Sequence, residues 1–577
     1  MSAIGGITRP GAFDATPRSA DYSAVRSVPL WIVVAIVALY ASAGLIGHDP
    51  WKQDEAYVFG GILDLLKSGD WVVLKVGGVP FMEKPPLFHW VGAITATLAS
   101  PWLPLHDGAR LASGLFTIIT VLAVAFAARL LWGPGRGRIG ALLTVSAAGL
   151  LTNAQMMITD LPLMAGFAIA LAGLAACHRE RPWGGVLLGI GVGVGFLGKG
   201  LFAPGVLGLA AVALPIAFKE WRRARYLRDL AIAFLVTLPF LVVWPAALWL
   251  RSPELFQVWF WDNNVGRYLG FSVSYLGAAT ESGYWVQTLP WFLFPLWIFA
   301  ALALGRSRGR IGAQPGIQVG VTLAASIAVI LWSSASARSI YALPLVPALA
   351  VLSAGAIGPV TARIDRALRF LGIAFAVSVA VVVWWAWACL VFAHEAPDWP
   401  WLGAYFPLRY ALELSPAKAI AAAAISVAFI AFAALSRRMV SGGLALWSGS
   451  LAAGWALVAL LWLPWIDHAK SYRGMYESLA HAIPAQTDCV ASLEIGESER
   501  AVLEYVLGIP TIDPDEGCRF VLRQRRADKV TASVPQSWHL VWSGSRPGDY
   551  RERFELWSRP AFVVKRERLH PRVKFRG

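Results

Sequence analysis

Two short stretches near the start of the chain carry the residue types that acid–base and phosphate chemistry need. Asp54-Glu55-Ala56-Tyr57 opens an amphipathic run in which Tyr57, Val58, Ile62, Leu63 and Leu66 are apolar and Asp64 and Lys67 polar, with Gly69 following as a helix cap. Asp54 is therefore expected at the N-terminus of a surface helix, where backbone N–H groups and the helix dipole favour an ionised carboxylate. It serves there either as a catalytic carboxylate or as the N-cap. Met82-Glu83-Lys84-Pro85-Pro86-Leu87 sets a carboxylate and an ammonium beside a rigid turn. Lys84 is a compact cation, suited to a phosphate or to snorkelling along a membrane surface. Asp160, in Ile158-Thr159-Asp160-Leu161-Pro162-Leu163, sits among apolar residues, where a carboxylate is costly and points to function. Lys199, between Gly198 and Gly200, is a further cation at the end of an apolar run, and Asp262-Asn263-Asn264-Val265-Gly266-Arg267-Tyr268 offers a carboxylate, two amides and a guanidinium. The planar donors of Arg267 can grip two phosphate oxygens at once. Arg338 precedes Ser339-Ile340-Tyr341-Ala342-Leu343-Pro344. Together these residues suit a carboxylate catalyst acting on a lipid-linked phosphate.

Most of the chain that must position them is apolar. Of 577 residues, 57% are hydrophobic and 15% charged, and the mean hydropathy is +0.58. That is more apolar surface than globular layers bury, so lipid is the expected solvent. Runs such as Leu30 to Gly47, Ala231 to Leu250 and Phe370 to Phe392 approach or reach the roughly 20 residues a helix needs to cross a bilayer. They lack the period-2 alternation of an outer-membrane barrel. The net charge of +15 resides in short loops and the C-terminal tail, a topogenic and lipid-facing distribution that argues against a nucleic-acid partner. The four cysteines form no CxxC or Cys/His cluster of the kind that holds zinc.

The expected fold class is an all-α polytopic membrane protein. Spans are expected at 29–47, 108–130, 138–157, 161–177, 183–198, 200–217, 229–250, 287–304, 315–333, 341–357, 367–394, 418–436 and 440–463, thirteen in all. The basic loops around Arg129 to Arg138, His178 to Arg181, Lys219 to Arg228, Arg306 to Arg310, Arg363 to Arg369 and Arg437-Arg438 belong on the cytoplasmic side. They alternate consistently with an inside N-terminus only if Pro86 to Leu103 does not cross. That segment is read as a juxtamembrane helix at the outer surface, begun by Pro85-Pro86 and carrying interfacial Trp90 and Trp102. The non-spanning stretches 48–107, 251–286 and 395–417 then all lie outside.

Three domains follow: a cytoplasmic segment 1–28, a membrane domain 29–465 with outer loops 48–107 and 251–286, and an outer α/β domain 466–577. In the last, strands are expected at Cys489 to Ile495, Trp538 to Ser543 and Ala561 to Lys565, and helices at Met475 to Ala482 and Ser498 to Val506. Cys489 and Cys518 are either a disulfide or two buried thiols. The Arg-rich stretch Arg551 to Arg576 is either a lipid-headgroup contact or a solubilising surface.

The ordered set Asp54-Glu55, Glu83-Lys84-Pro85-Pro86, Asp160-Leu161-Pro162-Leu163, Lys199-Gly200, Asn263 to Arg267 and Tyr341-Ala342-Leu343-Pro344 resembles the GT-C glycosyltransferases, in particular the bacterial lipid A aminoarabinose transferases and the protein O-mannosyltransferases. The motifs cover roughly residues 30–350, and the remainder agrees in layout. The resemblance implies a GT-C-like membrane domain with a small periplasmic α/β domain, in the bacterial inner membrane. It implies transfer of a sugar, with inversion, from undecaprenyl (polyprenyl) phosphate to a periplasmic-side acceptor: lipid A, another glycolipid or glycan, or a protein. For a lipid A acceptor the resemblance points to 4-amino-4-deoxy-L-arabinose, while the residues themselves leave the sugar open. Asp54 then resembles the catalytic carboxylate and Asp160 the second acidic position, while Lys84 and Arg267 resemble the ligands of the lipid phosphate. Glu55, Tyr57, Lys199, Asn263, Arg338 and Tyr341 are the remaining substrate-binding candidates. Glu83 matches a position that in some members meets a metal, whose partner in the second loop is either Asp262 or absent here. No cofactor is required, because phosphate is a good leaving group, and a divalent metal is left open. A transporter or flippase of lipid-linked sugars is the rival class; it predicts charges at mid-span and broken helices in paired halves, neither of which stands out.

Overall fold

The computed structural model describes residues 26–276, 279–280, 282–307, 311–355, 362–484, 487, 489–509, 511–512, 517–526 and 534–560. Within these, seven helices are long and apolar enough to cross a membrane: Leu105–Trp132, Asp160–His178, Ala224–Arg251, Pro315–Ser333, Arg363–Ala393, Pro416–Ser436 and Gly442–Leu461. Tyr284–Phe292 and Leu296–Arg306, bent by 89° at their break, make an eighth if taken together. Shorter apolar helices Leu30–Ser42, Gly184–Lys199, Phe202–Ala217 and Ser339–Ala354 occupy four more of the expected positions. The span expected at 138–157 is not one helix. Arg136–Ser146 stops where Ala147 is extended, Ala148–Leu151 follows, and the Ala148 N–H is donated to the Phe294 carbonyl at the bend of the broken pair.

The basic loops gather at one end of the bundle. Arg179 donates to the Leu130 carbonyl at 2.7 Å, Arg223 pairs with Glu180 at 2.9 Å, and Arg136 reaches the Ala354 carbonyl at 3.0 Å. Arg26–Ser27 pairs in parallel with Met439–Val440 at the same end. Residues 1–25 of the expected cytoplasmic segment, and Arg308 and Arg310 of a basic loop, lie outside the described residues, as do Ala561 to Lys565 and most of the Arg-rich tail. The segment expected to lie at the outer surface holds the helix Leu87–Ala99. It lies at the other end of the bundle, packed against the helix Asp54–Ser68 and the start of Leu105–Trp132.

Small residues decide how the central helices meet. Asp160–His178 and Gly184–Lys199 pack backbone to backbone: a Cβ on Gly166 would lie 2.4 Å from the Gly195 nitrogen, and one on Gly191 would lie 2.3 Å from that of Ala170. Such close approach is how membrane helices gain packing energy without a hydrophobic driving force between them. It also sets the first residue of one helix, Asp160, beside the last residue of the other, Lys199. Gly191→Val is expected to part the helices at an overpacking cost of roughly 1–3 kcal/mol or more, read as a lower melting temperature of the detergent-solubilised protein.

Beyond the last membrane helix, five strands form one sheet in the order Thr511–Ile512, Val490–Leu493, Phe520–Arg526, Asp549–Ser558, His539–Arg546; the first three are mutually parallel and the last two are antiparallel to their neighbours. Arg473–Ala482 and Glu497–Leu507 are its helices, and Cys489 and Cys518 are joined by a disulfide. The domain sits on the first loop. Gly60 faces Ala501 so closely that a Cβ there would lie 2.6 Å from the alanine methyl. Lys52 enters a buried acidic niche, 2.7 Å from Glu499 and 2.5 Å from Glu552. Burial alone would raise the Glu552 carboxyl, but Lys52, Arg546 and the Tyr472 hydroxyl hold it down to about 2. Because that folded value lies below the ordinary 4.5, the stabilisation is fully present above about 4.5 and lost as the pH falls toward 2. Calorimetry of the purified protein should show a constant C-terminal transition from pH 7 to 5 and a decline below 4.5, with Lys52→Met already destabilised at pH 7.

Candidate active site

The helix Asp54–Ser68 carries Asp54 as its first residue; the N-cap position falls to Gln53, so Asp54 does not cap the helix. Its carboxylate instead accepts a hydrogen bond from the Tyr57 hydroxyl and lies 3.6 Å from Arg338 Nη1. Burial, and then the Asp54 and Glu83 charges, push the Tyr57 hydroxyl well above its ordinary range, which keeps it a donor. Gly61 and Gly92 let this helix settle on Leu87–Ala99: a Cβ on either would lie within 2.8 Å of His89 or Ile62.

Glu83 and Lys84 follow a two-residue hairpin, Lys75–Val76 with Val79–Pro80, and precede Pro85-Pro86. Glu83 accepts from Arg267 Nη2 at 2.8 Å and from Lys84 Nζ at 3.4 Å. Burial by itself would raise its carboxyl; the two cations hold it below the usual carboxylate range. Arg267 comes from the second loop, just after a π-helical stretch, Val258–Gly266, a distortion common at functional sites. In that stretch Asn263 and Asn264 donate to the Val258 and Trp259 carbonyls at 3.1 and 2.8 Å. Asn264 Oδ1 also accepts the Leu201 N–H at 3.1 Å, which ties the second loop to the helix that ends at Lys199. Gly200 has φ +80°, and a Cβ there would lie 2.1 Å from Asn264 Oδ1, so glycine is required twice over. Asp160 and Lys199 form an ion pair, and Lys199 Nζ stands 3.8 Å above the Tyr341 ring.

Three groups thus adjoin: Asp54 with Tyr57 and Arg338, Glu83 with Lys84 and Arg267, and Asp160 with Lys199 and Tyr341. All nine line one narrow passage. One side of it opens to a cavity of about 460 Å³ whose polar end holds Glu83, Lys84, Lys199, Asn263 and Arg267 and whose other walls include Leu163, Phe202, Ile330 and Leu331. Asn263 Oδ1 and Arg267 Nε are buried there without a hydrogen-bond partner. The other side leads to a cavity of about 520 Å³ against the C-terminal domain, sharing Tyr57, Glu83 and Arg338 with the passage.

Glu55 is the sequence candidate that the structure removes from the site. It is fully buried, bonded through Oε1 to Arg110 Nε at 3.0 Å and to the Met157 N–H at 3.2 Å, and lines none of these cavities. One residue along a helix turns a side chain by about 100°, which carries Glu55 into the loop core while Asp54 faces the passage. Asp262 accepts from the Tyr275 hydroxyl at 3.2 Å. Among the described residues no three His, Cys, Asp or Glu side chains are placed to hold a metal ion. With the Glu83 carboxylate already shared by two cations, these residues do not fit a divalent-metal site. Residues lining these cavities that the sequence reading did not single out as site candidates are Asn264, Lys52, and Glu497, Glu499 and Arg526 of the C-terminal domain. Only Asn264 carried a local signal, its place beside Asn263 and Arg267.

A family model described as dolichyl-phosphate-mannose-protein mannosyltransferase matches residues 83–249. The architecture superposes on the crystal structure of ArnT from Cupriavidus metallidurans bound to undecaprenyl phosphate with a TM-score of 0.67, at 19% identity over 91% of this chain and 97% of that one. The apo form of the same protein superposes at 0.69 over the same shares. The chain is a multi-pass membrane protein with the GT-C fold. Among curated proteins it is similar to undecaprenyl phosphate-alpha-4-amino-4-deoxy-L-arabinose arabinosyl transferases: that of Edwardsiella ictaluri is 27% identical over 60% of this chain and 63% of its own length. That of Pseudomonas aeruginosa is 28% identical over 47% of this chain and 48% of its own length. The matched regions thus span between about half and two thirds of those relatives.

Proposed function

We propose that the protein is an inverting glycosyltransferase that takes a sugar from undecaprenyl phosphate and passes it to a lipid A-type glycolipid on the periplasmic face of the inner membrane. The observation that carries this reading is the mostly apolar cavity with a charged head, where Lys84, Lys199 and Arg267 stand with Asp54 one passage away. The similarity to aminoarabinose transferases supports 4-amino-4-deoxy-L-arabinose as the sugar. The gathering of basic loops at the opposite end supports thirteen crossings, an outward-facing site and a periplasmic C-terminal domain.

The polyprenyl tail lies along Phe202, Ile330 and Leu331, and its phosphate takes the free Arg267 Nε, Lys84 and the Asn263 amide. The acceptor oxygen attacks the anomeric carbon from the face opposite the phosphate. The bond from that carbon to the phosphate oxygen breaks, and its electron pair leaves on undecaprenyl phosphate. Asp54 takes the acceptor proton, or orients an acceptor that is already an ionised phosphate. Lys84 and Arg267 stabilise the charge that collects on the departing phosphate. Asp160 holds Lys199 over Tyr341, fixing a third cation at the cavity head. Proteoliposomes supplied with synthetic undecaprenyl-phosphate sugars should transfer sugar to lipid A. Lys84→Ala and Arg267→Ala should each weaken donor affinity by about 10- to 100-fold, the worth of a hydrogen bond to a charged group. Unchanged donor affinity in both variants would refute the phosphate site. A protein acceptor is the second reading, favoured by the mannosyltransferase model over residues 83–249; Ser/Thr peptides in the same assay separate the two.

A further inference from the structure

Asp54 stands at a helix start that has no cap of its own. Gln53 occupies the N-cap position and makes no side-chain hydrogen bond to the first turn, and a helix end whose leading N–H groups lack partners frays. The stretch on either side of Asp54 is held instead from beyond the last membrane helix. The Asp49 N–H and the Trp51 indole both donate to Asp467 Oδ1, at 3.0 and 2.8 Å, and the Asp49 carboxylate accepts from Arg473 at 2.6 Å and from the Ser471 hydroxyl at 2.7 Å. Lys52 is clasped by Glu499 and Glu552, whose carboxylates also accept from Gln524 and the Tyr472 hydroxyl, and Arg546 reaches Glu552 at 3.0 Å. The Gln53 carbonyl accepts the Ser498 hydroxyl at 2.9 Å beside the Tyr57 N–H at 3.5 Å. Ala56 is buried in one cluster with Tyr472, Tyr476 and Val502. Between these grips Glu55 turns to Arg110, and Asp54 to Tyr57 and Arg338.

We propose that Lys52 and Ser498 are positioning residues for sugar transfer: through the Glu499–Glu552 niche and the Gln53 carbonyl, the C-terminal unit fixes the helix start so that the Asp54 carboxylate meets the acceptor oxygen. The proposal rests on the glycosyl-transfer reading above and adds residues that act on the reaction through Asp54. Ser498 and the Tyr57 N–H share one carbonyl, and the Tyr57 hydroxyl is the donor to Asp54. Freeing that carbonyl therefore moves the carboxylate together with the group that aims it. A misplacement of about 1 Å at a reacting group costs on the order of 10²-fold in rate. Lys67 and Glu504, paired at 2.9 Å near the other end of the same helix, join the same two parts of the molecule at a distance from Asp54. They separate positioning of the carboxylate from adhesion of the unit as a whole.

The test uses the full-length protein in nanodiscs with an undecaprenyl-phosphate-linked sugar and lipid A, and reads kcat and the KM of each substrate. Ser498→Ala leaves every charge in place and is expected to lower kcat about fivefold, the worth of one hydrogen bond; Ser498→Thr, which keeps the hydroxyl, should recover most of that loss. Lys52→Met should lower kcat by about 10- to 100-fold, and Lys52→Arg should recover part. Both KM values should stay at wild type. In an Asp54→Asn background neither change should lower kcat further, because the group they aim is gone, and Lys67→Met should keep the wild-type kcat. A raised acceptor KM would make Lys52 and Ser498 substrate contacts and overturn the proposal, as would equal losses in the Asp54→Asn background or in Lys67→Met. If Lys52→Met does not fold, Ser498→Ala decides by itself. Wild-type kcat in Ser498→Ala beside a loss in Asp54→Asn overturns the positioning role alone; an Asp54→Asn variant as fast as wild type, or no transfer by the wild type, overturns the reading on which it rests.

Discussion

Replacing Asp54 by Asn is expected to slow sugar transfer by roughly 10²- to 10⁴-fold, the range a positioned general base supplies. Asparagine has nearly the same shape and retains an oxygen that can accept from the Tyr57 hydroxyl, so the helix start and the Tyr57 contact survive. What disappears is the capacity to take a proton and the attraction for Arg338. The loss should therefore fall on kcat, with the donor KM and the melting temperature close to wild type. A loss smaller than about tenfold would identify Asp54 as the residue that orients an acceptor already ionised, since no proton then needs a destination. Comparing phosphate and hydroxyl acceptors in the same variant separates those two roles.

Arg110→Met is expected to produce the largest loss of stability. Arg110 is 0% exposed and satisfies five acceptors: Glu55 at 3.0 Å, Asp107 at 2.7 Å, and the carbonyls of Leu45, His48 and Asp49 at 3.1, 3.1 and 3.4 Å. It links the end of the first helix, the first loop and the start of Leu105–Trp132. Methionine fills most of the volume but leaves Glu55 and Asp107 without their counter-charge, which for a broken buried pair costs about 3–5 kcal/mol. Burial alone would raise the Glu55 carboxyl and Arg110 holds it low, so in the variant Glu55 should protonate. The paired change Arg110→Met with Glu55→Gln should recover part of the melting temperature, whereas Glu55→Gln alone should cost less than Arg110→Met. If Arg110→Met melts like wild type, the first loop is held by something other than this guanidinium.

Periodicity and punctuation carried a good part of this architecture. The amphipathic run after Asp54 and the Pro-Pro start of the following apolar segment each have a local physical cause, and each has its helix in the structure, Asp54–Ser68 and Leu87–Ala99. Helix continuity was harder to read. Residues 138–157 are apolar enough to suggest a span, but the break at Ala147 is fixed by packing against the bent pair near Phe294, a partner far along the chain. The strands Phe520–Arg526 and Asp549–Ser558 escaped notice because they are crowded with Arg and Glu. Their core-facing set of Glu552, Phe554 and Leu556 includes a carboxylate whose burial is offset by Lys52 from the first loop and by Arg546.

The candidate site divides along the same line. Asp54, Lys84, Asp160 and Arg267 announce themselves as charges in an apolar chain, and the fold brings them to one passage. Glu55 announced itself equally well and points the other way, since adjacent residues on a helix take different faces. Arg526 and Glu497 resemble any charged surface residue until the sheet and its helix are laid against the first loop. Sequence spacing holds no record of that contact.

The passage borders two parts of the molecule that are held in place by different contacts. Asp160 and Lys199 stand on helices whose backbones touch through glycine, where no side chain can be enlarged without moving a membrane segment. Arg526 and Glu497 belong to a separate sheet-and-helix unit that meets the first loop through apolar contacts, Gly60 on Ala501 and Phe59 on Tyr505, and through ion pairs such as Lys52 with Glu499 and Lys67 with Glu504. Both seams therefore depend on small residues: glycine against backbone between the membrane helices, and Gly60 against Ala501 where the C-terminal unit meets the first loop. Chimaeras that keep residues 29–465 and take the C-terminal unit from another member of the fold should assemble only where the incoming unit keeps a small residue opposite Gly60.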